Sequence, residues 1–437
     1  MSSKAPAFNL KAVIRETGLK PDTLRAWERR YGLPQPQRTS GGHRLYSPHD
    51  IDMLKWLIAR QQEGLSISRA VDMWHALEAD GKDPLQGAAQ ALPRSAWSGA
   101  SLASGEAVSD LRRAWMAACL VYDERTAENT LAHAFALFPS EVVCFEVLQK
   151  GLAEIGAGWY RGEVTVQQEH FTSALAMRRL EALVAATPAP TRSGRILAAC
   201  PPEEEHTFSL LLLTLLLRRQ GWEVIYLGAN VPLSRLEATL SQARPQLVVS
   251  SAQHLPVAAT LREMGHLLQR ERVPLAYGGR IFNAMSALRD RIPGHFLGEH
   301  LNQAPQAVQQ IMNLSPRPLQ AATTPDAYLH ALVHYLERQP AIEAAVMETV
   351  ESVDIPRPHL TVAHHFIERN IAAALELGDM GFAGDDIHWI EGLLLGQRIP
   401  VDQLRHYLRV YTKATTEHLD ERGQLIVDWL ERVTARE

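Results

Sequence analysis

Glu204 and His206 stand two residues apart in Pro201-Pro-Glu-Glu-Glu-His206 and form a one-point metal-ligand candidate. An imidazole that ligates through one ring nitrogen needs an acceptor on the other. That acceptor fixes the tautomer and raises the basicity, and a nearby carboxylate can supply it. A lone His on a loop is more commonly a surface residue, so the case depends on what positions the pair.

The flanking sequence supplies a frame. Arg195-Ile-Leu-Ala-Ala-Cys200, apolar and bounded by Pro, predicts a buried parallel strand. The Leu-rich segment after His206 predicts a helix stopped by Gly221, and Trp222–Gly228 predicts the next strand. The unit is therefore βαβ, and its first loop lies outside the carboxyl end of a strand, where open α/β sheets bind ligands. Ser250 and Ser251 close a third strand over Gln246–Ser251, and Gly278 and Gly279 close a fourth over Pro274–Gly279. Small residues at successive strand ends leave a groove for a long ligand tail. The order acid-x-His, Ser, Gly-Gly resembles the cobalamin-binding Rossmann-like domain of methionine synthase and its relatives. The resemblance implies His206 as lower axial cobalt ligand, Glu204 as its acid, and Ser250, Ser251, Gly278 and Gly279 around the nucleotide tail. Ser209 stands where that family usually has Gly, which narrows the tail's space.

A second chemistry-bearing region lies near the start. Pro21-Asp-Thr-Leu-Arg-Ala-Trp-Glu-Arg-Arg-Tyr31 predicts a helix with Leu24, Trp27 and Tyr31 on one face. Arg25, Arg29 and Arg30 fall on other faces, free to meet phosphates or base edges. Arg38-Thr-Ser-Gly-Gly-His-Arg-Leu-Tyr46 predicts a hairpin wing. A basic helix-turn-helix with a basic wing is a DNA-docking surface. Thr23-Leu-Arg-Ala-Trp-Glu-Arg-Arg-Tyr-Gly32 with the wing sequence resembles the MerR-type winged helix-turn-helix over residues 8–78. That resemblance places Arg25, Trp27, Arg29 and Arg30 on or beside the recognition helix, and Arg38, His43, Arg44 and Tyr46 in the wing.

The composition fits a cytoplasmic protein of several domains: 437 residues, net charge −5, 46% hydrophobic. No membrane span or secretory leader is expected, and Cys119, Cys144 and Cys200 show no CxxC spacing. The fold expected is multidomain α and α/β. A MerR-type head occupies 1–80, a flexible Gly/Pro/Ser-rich linker 81–106, a four-helix bundle 107–190, a Rossmann-like domain 191–316 and an all-α domain 325–437.

Within the bundle, Trp159 precedes Val166, Glu169 and His170. With a cobalamin fold directly downstream, this spacing resembles the CarH-type photoreceptors, MerR-like repressors that use adenosylcobalamin as a light sensor. The resemblance runs from residue 8 to about 315 and implies that Trp159, Val166, Glu169 and His170 line the upper corrin face. It departs at Tyr160, where the family has a His that captures cobalt after light. The function it implies is a cobalamin-dependent light-responsive repressor, not an enzyme, that binds double-stranded operator DNA as a homodimer or homotetramer. A light-independent cobalamin or redox sensor is the alternative. A cobalamin enzyme would need a substrate barrel of some 200 or more residues, and no eightfold βα pattern exists here. Residues 325–437 lie beyond the resemblance. They read as helices over 326–338, 341–350, 359–378, 384–396, 401–418 and 423–435. Their histidines (His359, His364, His365, His388, His406, His418) raise a second chromophore, haem or bilin, as a further alternative.

Overall fold

A computed structural model describes residues 8–17, 19, 21–38, 44–62, 67–68, 70–71, 74–75, 101–314, 317–350, 357–384 and 401–436. The side chains of some helix and strand residues, including His359 and Arg38, are outside that description, as are His43, His388 and the expected linker up to residue 100. The chain divides into two compact units. One contains Met1–Ala118 and Asp123–Leu148, the other Cys119–Tyr122 and Gln149–Glu437.

In the first unit, α1 (Leu10–Thr17), α2 (Pro21–Tyr31) and α3 (Pro48–Gln62) surround a small antiparallel sheet of β1 (Phe8–Asn9), β2 (Gln37–Arg38) and β3 (Arg44–Tyr46). The expected wing is the β2–β3 hairpin, with Gln37 opposite Leu45 and Arg38 opposite Arg44. Ser47 and Asp50 start α3 reciprocally: the Ser47 amide donates to Asp50 Oδ2 at 2.7 Å and the Asp50 amide to Ser47 Oγ at 3.1 Å. Leu24, Trp27, Tyr46, Leu54, Leu57 and Trp74 form the core of this head. Helices α4 (Ser101–Leu120) and α5 (Glu124–Leu137) follow, the second capped by the Asp123 side chain.

The second unit begins with α6 (Lys150–Tyr160) and α7 (Val166–Ala185). Thr165 and Gln168 close a capping box at the start of α7. Ahead of α6 the chain passes through a wide π-helical turn over Val143–Gln149.

The sheet that follows is wholly parallel. Its strands β4 (Arg195–Ala199), β5 (Glu223–Gly228), β6 (Leu247–Ser251), β7 (Leu275–Gly278) and β8 (His295–Phe296) lie in the order β5-β4-β6-β7-β8. Alternate strand residues face opposite layers. Ile196, Ala198, Leu247 and Val249 pack against α8 (Phe208–Arg219) and α12 (Ala304–Asn313). Leu197, Val248, Leu275 and Tyr277 pack against α9 (Leu236–Ala243), α10 (Leu255–Arg270) and the short α11 (Arg280–Ala284). Helix α8 is buried from Leu210 through Leu217, which is why its sequence is apolar all round. Each of those leucines contributes about 1.5–3 kcal/mol of burial. Gly221 ends the α8 turn with φ +91°, and a Cβ there would stand 2.3 Å from Thr191 Oγ1.

The apolar layer over α10 continues into α13 (Asp326–Val350), α14 (Arg357–Leu377), α15 (Val401–His418) and α16 (Gln424–Arg436). Two helices were expected where α13 runs unbroken through Pro340. Tyr335, Ile342 and Val346 are fully buried on one face, and that packing carries the helix past the hydrogen bond Pro340 cannot donate. Among the described residues no helix is long and apolar enough to cross a membrane.

Candidate functional site

In the 2-1-3-4-5 strand order the chain turns from one direction to the other between β4 and β6. The loops leaving these two neighbouring strands flank the switch point where such sheets hold ligands. The first loop carries Glu204 and His206, and the second carries Gln253 and His254.

Glu204 is fully buried and is satisfied by three donors. The His206 amide reaches its Oε1 at 2.9 Å, His206 Nδ1 lies 2.8 Å from the same oxygen, and the Gln253 amide reaches Oε2 at 2.7 Å. The carboxylate thus holds the ring by one nitrogen while the ring itself is 64% exposed, with its Nε2 edge turned away from Glu204. The hydrogen bond to Glu204 raises the His206 pKa above its usual value against the opposing effect of burial, and Glu169 adds a smaller push in the same direction. Glu169, near the start of α7, is therefore within electrostatic reach of His206.

The His254 ring stands 5.2 Å from the His206 ring and has Arg280 3.2 Å from its Nδ1. Burial, then Arg280 and His206, push it down to about 4, so it is neutral at pH 7. The first loop is also tied to the end of β5: the Asn230 amide donates to the Glu204 carbonyl at 3.0 Å and the Glu203 amide to Asn230 Oδ1 at 2.9 Å. Gln253, His254, Asn230 and Arg280 were not singled out from sequence. Their contacts with the Glu204–His206 loop depend on which strands are neighbours, although their places just after strand ends were a usable signal.

The small residues expected around a ligand tail stand at the ends of β6 and β7. Ser250 is buried with its Oγ lacking a hydrogen-bond partner, an orphaned polar atom that a ligand could satisfy. Ser251 Oγ lies 4.0 Å from Cys200 Sγ, and burial with Glu204 nearby pushes the Cys200 thiol up to about 12. Gly279 has φ +127°, and a Cβ there would lie 1.9 Å from the Ala252 carbonyl oxygen, so only glycine fits. A Cβ on Gly278 would meet nothing within 4 Å, which leaves open space at the end of β7. Among the described residues no three His, Cys, Asp or Glu side chains gather as a metal cage. The donor set suits a ligand that brings its own equatorial donors and asks the protein for one axial nitrogen.

Trp159 is half-buried at the end of α6, Val166 is 41% exposed and His170 is exposed on α7. Glu169 Oε2 lies 2.6 Å from His170 Nδ1, and Ser173 Oγ donates to Glu169 Oε1 at 2.6 Å.

In the head, Arg25, Arg29 and Arg30 are exposed on α2. Trp27 and Tyr46 are core residues instead of surface ones. Tyr46 donates to Glu28 Oε1 at 2.6 Å, and Arg44 Nε donates to Glu28 Oε2 at 2.8 Å. Burial and the Glu28 bond raise the Tyr46 phenol well above its ordinary pKa. Glu28 on α2 thereby locks the helix to the wing strand. Of the other wing residues, Arg38 sits in β2 and His43 lies outside the described residues.

Comparison with known proteins agrees with this geometry. The MerR HTH family regulatory protein pattern matches residues 8–77, and B12 binding domain patterns match residues 194–304 and 111–184. The chain is 32% identical over 308 residues to the HTH-type transcriptional repressor CarH of Myxococcus xanthus, covering 97% of that protein and 68% of this chain. This chain belongs to the CarH and CarA family of MerR-type transcriptional repressors. The CarA repressor of the same organism is 33% identical over 248 residues, 76% of its length and 56% of this chain. A monomethylamine corrinoid protein of Methanosarcina barkeri is similar over all of its own length and 48% of this chain, at 16% identity and a TM-score of 0.40. In this chain the helix-turn-helix and the B12 binding domain patterns share one polypeptide, and the two relatives are transcriptional repressors. Helices α13–α16 lie beyond the B12 binding domain pattern, which ends at residue 304.

Proposed function

We propose that this chain is a light-responsive, cobalamin-dependent repressor that binds double-stranded operator DNA, with adenosylcobalamin seated between the α6–α7 helices and the sheet. The observation that carries the reading is the exposed His206 ring, fixed at Nδ1 by a fully buried Glu204 at the switch point of the sheet. When bound, adenosylcobalamin supplies a cobalt–carbon bond that light can break. His206 would hold the cobalt through Nε2, with Glu204 fixing the tautomer of the ring. Ser250, Ser251, Gly278 and Gly279 line the tail groove, and Trp159, Val166, Glu169 and His170 form the cap.

In this reading Trp159, Val166, Glu169 and His170 would hold the cap helices in one of two arrangements. A ligand shifts such an arrangement only by its different affinity for the two states. One MerR-type head contacts few phosphates, so linking heads in a homodimer or homotetramer multiplies effective concentration on the operator. Arg25, Arg29, Arg30, Arg38, His43 and Arg44 are the DNA-facing set, with Trp27 and Tyr46 supporting them from the core. The protein works in the cytoplasm.

Tyr160 changes the expected response to light. A phenol is a poor cobalt ligand unless it is deprotonated. His170, ordered by Glu169 as His206 is by Glu204, is the cap imidazole set up to take that role. The Tyr160 difference also favours one second reading, a light-independent cobalamin sensor. A haem or bilin among the C-terminal histidines is weaker, since the buried His364 turns Nδ1 to Tyr407 and Nε2 toward Glu368.

A gel-shift titration of operator DNA with adenosylcobalamin, in darkness and after green illumination, separates these readings. Binding in darkness that weakens after light supports the photoreceptor. Equal, cobalamin-dependent binding in both conditions leaves the light-independent sensor, and binding indifferent to cobalamin removes both.

A further inference from the structure

We propose that Arg369, on the additional C-terminal domain, is a positioning residue for the His206 loop. On this reading residues 326–436 act as a clamp that sets how firmly the axial ligand is held.

Three observations converge on the loop. First, Glu203, immediately before the buried Glu204, has φ +70°, a left-handed conformation that is strained for a non-glycine residue and persists only when its surroundings over-determine it. Its amide is held by Asn230 Oδ1, and its carboxylate is ion-paired with Arg369 of α14, 166 residues away.

Second, the same loop is tied to α10, where Thr260 Oγ1 donates to the Pro202 carbonyl at 2.9 Å. Helix α10 follows directly from Gln253, whose amide completes Glu204, and from His254 beside His206.

Third, α14 grips α10 itself. Arg262, 9% exposed, donates to the Glu376 carbonyl at 2.9 Å, and Thr324 Oγ1 donates to the same carbonyl. Leu261, Met264 and Leu268 share one apolar cluster with Ile367, Ile371 and Leu375. One helix of the C-terminal domain therefore holds the loop bearing His206 and the helix that follows the loop bearing Gln253. Both ends of the Glu204 hydrogen-bond set rest on it.

An exposed ion pair in isolation contributes little to stability. Arg369 acts on a loop whose backbone is already strained, so its effect is on loop geometry more than on global stability. The affinity part of the proposal rests on the cobalamin reading, whereas the loop-ordering part does not.

The test uses the full chain with Arg369→Gln, Arg369→Lys, Arg369→Glu and the reversed pair Glu203→Lys with Arg369→Glu. In the protein without cobalamin, hydrogen exchange at residues 203–206 is expected to rise roughly two- to five-fold in Arg369→Gln. It should rise further in Arg369→Glu, and return toward wild type in Arg369→Lys and in the reversed pair. Affinity for aquocobalamin, read by its absorption spectrum, should fall by a similar factor in Arg369→Gln. The gap should narrow in about 0.5 M sodium chloride, where exposed charges are screened. Unchanged exchange in Arg369→Gln, or a reversed pair no better than Arg369→Glu alone, would overturn the clamp. If the wild type itself fails to bind aquocobalamin, the cobalamin reading falls while the exchange result still decides the role of Arg369.

Discussion

Two His–Glu pairs in this molecule use the same residue types for opposite ends. At the switch point, the acid is buried and the imidazole is exposed. Glu204 takes three donors, and the exposed His206 ring keeps its Nε2 turned away from Glu204. In the C-terminal domain both partners are buried. His364 is 3% and Glu368 6% exposed, with Nε2 2.8 Å from Oε1 but out of line for a hydrogen bond. The other ring nitrogen of His364 meets Tyr407 at 2.7 Å, and Tyr335 and Tyr411 pair beside it at 2.6 Å. A ligand site is recognised by an unspent nitrogen held in place. A histidine enclosed on both sides is part of the packing, however suggestive its neighbours.

The comparison can be broken most forcefully in the C-terminal pair. Glu368→Ala leaves the buried His364 without its acid and should cost about 3–5 kcal/mol in denaturant unfolding. Replacing both residues by leucine should recover much of that loss, because a buried polar pair is often matched by a well-packed apolar one. A loss well under 1 kcal/mol for Glu368→Ala would mean that the pair is not integral to the bundle.

A smaller effect, on ligand instead of fold, is expected at the switch point. Glu204→Gln should weaken cobalamin affinity by about 10- to 100-fold, the usual effect of losing a partner behind a ligating His. It should also move the pH dependence. Ligation requires the neutral ring, and the Glu204 hydrogen bond raises the His206 pKa above 6.5. Wild-type affinity should therefore climb with pH through a midpoint above 6.5, and that midpoint should fall in Glu204→Gln. For the cobalamin-free protein the sign is opposite. A raised imidazole pKa contributes stability that is fully present below 6.5 and lost as pH rises through the folded value. Affinity and midpoint both unchanged would show that Glu204 does not act through His206.

The smallest expected effect concerns the seam between α10 and α14. Burial, with Glu263 nearby, pushes the Glu376 carboxyl up to about 7 from 4.5. Between those values the folded state keeps a proton that the unfolded chain has lost, so stability should fall as pH rises across that window. Glu376→Gln should flatten the fall, as read by thermal unfolding at successive pH values. An unaltered slope would remove Glu376 as its source.

What the chain disclosed in advance follows from how local each signal is. Strand β4, the loop carrying His206 and the buried Leu-rich helix α8 are contiguous, and Gly221 marks the helix end with a backbone angle only glycine takes easily. The MerR-type head was equally legible, because its helix and hairpin lie within a few dozen residues. Gln253 and His254 were not, since they reach the first loop only through the pairing of β4 with β6. Arg369 is farther still from Glu203 in sequence, and nothing local marks the two as partners. Trp27 and Tyr46 lie within motifs that suggested surface contact. The phenol of Tyr46 satisfies Glu28, and apolar neighbours enclose both rings. Pro340 gave a stop signal that packing of Tyr335, Ile342 and Val346 overrides.

The central claim is that His206 supplies the axial nitrogen to a bound corrin. The most direct measurement is the absorption spectrum of the full chain loaded with adenosylcobalamin in the dark, wild type beside His206→Ala. The account predicts an imidazole-ligated spectrum in the wild type that is lost in the variant, with operator binding of the head otherwise intact. Identical spectra in the two proteins would contradict it.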